Sequence, residues 1–196
     1  MKKDLLFQAI AILLPTFILP LSAIAQKEVP TSFKIYDVKK GKEISLVELS
    51  NTASELDVLF WGEEHNDSLG HALQDSLYHL LLKQYGTVSL SMEMFETDGQ
   101  YIVDEYLAGL ITEAKFLNDS RPWKTYEQAY RPLLERAKDK GQAVIAANAP
   151  RRYVNMVSRN GLGDLEKLSK TAKSYLPPLP IYTEDEGYKD RFDEIM

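Results

Sequence analysis

Three short apolar runs, Val58–Trp61, Thr87–Met92 and Ala143–Ala147, each break directly into polar residues, and a helix-like stretch separates each run from the next. Short runs of β-formers closed by turn residues read as buried strands. Their alternation with helices predicts an α/β domain, a parallel-stranded sheet with helices on both faces. Parallel strands place all their carboxyl ends on one edge, where open α/β sheets bind ligands. The first run leads through Gly62 into Glu63 and His65. The second leads into Glu93, with Glu96 close behind. The third leads into Asn148 and, after Pro150, Arg151 and Arg152. Carboxylates, an imidazole, an amide and a guanidinium are thus predicted to meet in one crevice.

The remaining elements follow from periodicity and breakers. Phe33–Val38 alternates as a strand, Lys39–Lys42 forms a turn, and Glu43–Leu46 pairs back as a hairpin. Leu46–Leu56 reads as a short helix. Asp67 or Ser68 caps a helix that runs to Tyr85 and ends at Gly86, with Leu69, Leu73, Leu77 and Leu80 as its apolar stripe. Gln100 to Ala114 is mostly helical, and a loop lies around Asn118–Pro122. Tyr126–Lys140 is a further helix, with Tyr126 and Tyr130 read as packing residues. Pro150 opens a last helix closed near Gly161.

The amino terminus predicts export. Lys2 and Lys3 precede an apolar run from Leu5 to Leu21, and Ala23-Ile24-Ala25 fits a signal-peptidase site before Gln26. An uncleaved anchor is the weaker reading, because the run is near the lower length limit for a span and Pro15 and Pro20 interrupt it. The sequence therefore divides into a signal peptide (1–25), a linker, hairpin and short helix (26–55) and the main domain (56–196). With no cysteine, disulfides, thiolate zinc sites, iron–sulfur clusters, covalent haem attachment and a lipoprotein anchor are all excluded. The chain carries −6, and −7 after cleavage, which argues against a nucleic-acid surface.

The Gly62 loop concentrates the chemistry. Carboxylate with imidazole is a ligand mixture for zinc and similar ions. His65 follows a strand directly and lies beside Glu63, which can fix its tautomer. His71 falls on the face of Asp75 and Tyr78, opposite the leucine stripe. It reads either as a second imidazole oriented by Asp75 or, slightly favoured on spacing, as part of a solvated face. His79 reads as surface.

Gly62-Glu63-Glu64-His65-Asn66-Asp67 with His71 resembles the signature of the ChaN-like haem-binding uptake proteins, in the superfamily that includes Tiki proteases and erythromycin esterases. Leu90–Glu96 is similar to that family's second strand and its acidic end, and Ala146–Arg151 to its A-N-A-P-R segment. The resemblance implies an α/β fold, export, and binding of haem or a metal, with Glu63, His65, His71 and Glu93 as matching positions. Members continue past the point where this chain stops, so the resemblance implies an incomplete domain.

Two functions follow. In the first, the protein binds haem non-covalently for haem or iron uptake. His65 or His71 is the axial ligand and Arg151, at a helix N-terminus, meets a propionate. A homodimer and outer-membrane uptake machinery are the expected partners. In the second, the protein is a metal-dependent or histidine-based hydrolase. His65, His71 and Glu93 hold a divalent ion or orient water, and Glu63 is the general base. No G-x-S-x-G elbow supports a serine hydrolase. The mature protein is expected to begin at Gln26. Intact-mass measurement of exported protein checks this, and a mass that retains earlier residues would refute cleavage there.

Overall fold

A computed structural model describes residues 33–183 and 185–195. The signal peptide and the linker at 26–31 lie outside them. No helix among the described residues is long and apolar enough to cross a membrane.

Strands β1 (Ile35–Asp37) and β2 (Lys42–Ile44) form the expected antiparallel hairpin. Helix α1 (Leu46–Thr52) begins with a capping box, in which the Ser45 side chain accepts from the Glu48 N–H and Glu48 answers to the Ser45 N–H.

Helix α2 (Ser68–Tyr85) starts where Asp67 accepts from the Leu69 N–H at 2.9 Å. A Cβ on Gly70 would stand 2.9 Å from Asp67 Oδ2, so glycine leaves room for the cap. Gly86, at φ 77°, ends the helix. Its buried face carries His71, Leu77, Tyr78, Leu81 and Leu82, whereas Leu69, Leu73 and Leu80 are only half-buried. The helix is therefore rotated from the expected leucine stripe, and the solvated face assigned to His71 is in fact turned inward. Leucines on several sides of the helix made its period ambiguous. Tyr78 settles the rotation, because its hydroxyl donates to the Val88 carbonyl at 3.0 Å.

Strands β3 (Leu90–Glu96) and β4 (Val144–Asn148) pair in parallel, with Leu90 opposite Val144 and Met92 opposite Ala146. An irregularity between Met92 and Glu96 then sets Glu96 opposite Asn148. Glu93 thus lies within the strand and not at its end. Val58–Trp61 does not join this sheet and is not a strand. Phe60 is 91% exposed, and Val58 and Leu59 are exposed too. A parallel strand that is apolar on both sides needs cover on both faces. Here Met92, Met94, Val144 and Ala146 are buried, while Ser91, Glu93, Ile145 and Ala147 face solvent. The helical cover lies on one face, so a third apolar strand has nothing to bury against on the other.

The buried face packs against α2, α3 (Gln100–Leu107), α4 (Glu113–Ser120) and α5 (Arg131–Asp139) in one core that includes Phe95, Phe116, Tyr130 and Leu134. The helical region after Gln100 divides into α3 and α4, and α4 carries on to Ser120, into the stretch expected to be a loop. Tyr126–Tyr130 is a π-helical turn leading into α5. Pro132 in the first turn of α5 has no N–H to return to an earlier carbonyl, which explains the wider turn. Helix α6 (Arg151–Asn160) follows Pro150, and α7 (Lys170–Lys173) and α8 (Glu186–Ile195) complete the described chain.

Gln100 finishes the sheet. Its amide donates to the Val144 carbonyl at 2.8 Å, and its carbonyl accepts from the Ala146 N–H at 2.7 Å. One side chain thereby satisfies the backbone along the outer edge of β4, as a neighbouring strand would. Gln100→Ala should lower stability by about 1–3 kcal/mol, read from urea denaturation, and Gln100→Glu should not restore it.

Candidate functional site

The loop at 62–67 and the ends of β3 and β4 each carry a group of polar side chains. On the loop, Glu63 is nearly buried. Its Oε1 accepts the Tyr130 hydroxyl at 2.6 Å and lies 3.0 Å from His65 Nδ1. A carboxylate oxygen only accepts, so His65 carries its proton on Nδ1, and Nε2 keeps a lone pair for a ligand. The His65 ring is 56% exposed and stands edge-on to Trp123 at 4.7 Å. His71, by contrast, is 7% exposed and stands edge-on to Tyr130 at 5.0 Å.

His71 Nε2 lies 3.2 Å from the His65 carbonyl, which fixes a proton on that nitrogen and ties the loop to α2. Its Nδ1 faces Glu63 Oε2 at 3.5 Å. Both of these atoms are buried without a hydrogen-bond partner. Tyr130 is fully buried. Burial holds its phenol well above the usual range, and the hydrogen bond to Glu63 and the charges of Glu63 and Glu93 add to this.

At the strand ends, buried Glu96 accepts from the Arg151 N–H at 3.2 Å and pairs with the Arg151 guanidinium. Arg121 Nη2 reaches Glu96 at 3.3 Å and Asp98 at 3.6 Å, and Arg152 pairs with Asp98. A carboxylate at the first turn of α6 suits the positive end of the helix dipole.

The expected residues therefore separate into two sets. Glu63, His65 and His71 come together. Asn148 and Arg151 stand with Glu96 at the strand ends. Glu93 lies on the open face of the sheet, where its charge reaches Tyr130. Asp75 does not orient His71; it holds Arg136 through two bonds of 2.8 Å, and Arg136 also meets His79. Among the described residues no group of three or more His, Asp or Glu is placed to hold a metal ion. A groove of about 370 Å³, lined by Lys40, Lys42, Ile44 and Glu48 among others, belongs to the hairpin and α1 and not to this loop. Sequence reading missed Trp123, Tyr130 and Arg121 as parts of the site. A tyrosine among 11 carries no signal of its own, and only the fold brings Tyr130 to Glu63.

A family model described as haem-binding uptake, Tiki superfamily, ChaN matches residues 49–196, and the chain belongs to that family. Among solved structures, one described as cofacial haem binding to ChaN of Campylobacter jejuni matches with a TM-score of 0.62 at 20% identity. The match covers 83% of this chain and 62% of that one, and it shows a shared fold. None of the curated proteins matches this sequence.

Burial holds the phenols of Tyr106, Tyr126 and Tyr130 above their ordinary value and pushes Tyr78 up to about 12. In the unfolded chain these groups ionise near pH 10. Their contribution is therefore complete below pH 10 and is lost as pH rises toward the folded values. Urea midpoints should fall over that window. Tyr130→Phe should cost about 1–3 kcal/mol at pH 7 and make the alkaline fall shallower; an unchanged slope would show that Tyr130 is not held neutral.

Proposed function

We propose that this protein binds haem non-covalently at the Gly62 loop and serves haem or iron uptake after export. Membership of the haem-binding uptake family supports the ligand. The observation that carries the reading is the state of His65. Glu63 accepts the hydrogen bond of its Nδ1–H, its ring is half-exposed, and its Nε2 faces away from that bond with a lone pair for a ligand. These residues fit haem, which supplies an iron with open axial positions and a flat apolar ring bearing two carboxylates.

Each part of the ligand has a counterpart in this chain. His65 would hold the iron, and Glu63 orients its ring while Tyr130 and the core hold Glu63. Arg151, 63% exposed on its side chain, would offer its guanidinium to a propionate. The exposed apolar side chains Val58, Leu59 and Phe60, which lead into the loop, and Ile145 on the open sheet face offer surface to the ring. An open face of this kind also suits a homodimer that closes over the ligand. Outer-membrane uptake machinery is a partner that fits this function.

One observation favours a hydrolase as the second reading. Glu63 Oε2 and His71 Nδ1 face each other in a buried place without hydrogen-bond partners. Such a pair can hold a proton or a cation for general base chemistry. Esterase or peptidase turnover with a divalent metal and no haem would favour it.

Haem titration followed at the Soret band tests the main reading. His65→Ala should weaken binding more than tenfold, roughly 1.4 kcal/mol or more, while His79→Ala should leave it near wild type. Circular dichroism confirms that both variants are folded. Equal affinities would move the ligand away from this loop.

A further inference from the structure

We infer that Arg121 is a positioning residue whose guanidinium, bound to Glu96 and Asp98, holds Trp123 against His65. Its bearing on haem affinity rests on the haem reading above; its bearing on the loop does not.

Among the described residues Arg121 is the one non-glycine residue with positive φ, at 51°. It occupies the C-cap of α4, a left-handed position where glycine is the usual choice because an L side chain is strained there. A strained residue persists where its surroundings hold it. The guanidinium provides that hold, 3.3 Å from Glu96 and 3.6 Å from Asp98. Glu96 is buried and anchored by the first turn of α6, so it offers a fixed point at the end of the sheet.

From Arg121 the chain passes through Pro122, whose ring fixes φ, directly to Trp123. The Trp123 ring meets His65 edge-on at 4.7 Å and stands 6.1 Å from Tyr130. Among the described residues the other partner of the His65 ring is Glu63. Trp123 thus forms the second wall of the imidazole, and Arg121 sets where that wall stands. The loop at 121–125 also joins the two polar groups of the site, since Arg121 reaches one and Trp123 packs on the other.

The test uses the ring-current shift that Trp123 imposes on the His65 ring protons, measured by NMR on the full chain without haem. Arg121→Gly suits the backbone and removes the guanidinium. Arg121→Gln keeps an L side chain and removes the charge. Both should lose most of the shift, and Arg121→Lys should recover part of it. Wild-type shifts in either folded charge-removing variant would overturn the inference; if Arg121→Gly does not fold, Arg121→Gln decides. Haem affinity should fall about fivefold in the same variants. Loss of the shift with unchanged affinity would support the positioning role and count against His65 as the haem ligand. A role limited to stability would lower the melting temperature and leave the shift in place.

Discussion

The hydrogen bond from Tyr130 to Glu63 is the contact on which the site depends. It joins a side chain at the centre of the core to a loop that is otherwise exposed. The core places Tyr130 through the π-helical turn before α5, and Tyr130 in turn places the Glu63 carboxylate. With that carboxylate fixed, His65 has one tautomer and His71 has an acceptor opposite its Nδ1. Without this tie the loop would keep its link to α2 through the His65 carbonyl but lose the fixed Glu63 carboxylate. A phenol held neutral by burial also keeps its proton as a lasting donor to the carboxylate.

The two polar groups differ in physical character. At the strand ends, charge is matched by charge: Glu96 and Asp98 share three arginines and the amino end of α6. Such a network fixes geometry, and its outer arginines remain accessible. On the loop, polar groups are set among aromatic rings, and two buried atoms stand without partners. The first arrangement suits recognition of carboxylates. The second suits a ligand that needs a directed imidazole beside an apolar surface.

Much of the helix framework was legible in the sequence because it rests on local signals. Asp67 and Gly86 bound α2 as expected. The parallel pairing of the second and third apolar runs also followed from their alternation with helices. The first run misled, because apolar composition states a preference for burial and not whether a covering face exists. Glu93 misled for a related reason: an irregularity in β3 carried the strand on to Glu96. The rotation of α2 was hidden by leucines on several sides, so His71 turned inward while Asp75 went to Arg136.

The sequence by itself determined where α2 starts and stops, that the sheet is parallel, and that Glu63 and His65 lie close together on one loop. Those features depend on caps, breakers and neighbours within a few residues, or on motif spacing. Tertiary structure decided the rest. It chose Tyr130 as the partner of Glu63 across 67 positions, turned His71 inward, and passed Asp75 to Arg136. Such contacts form between residues far apart in the chain, and only the packing of several elements into one core brings them within bonding distance.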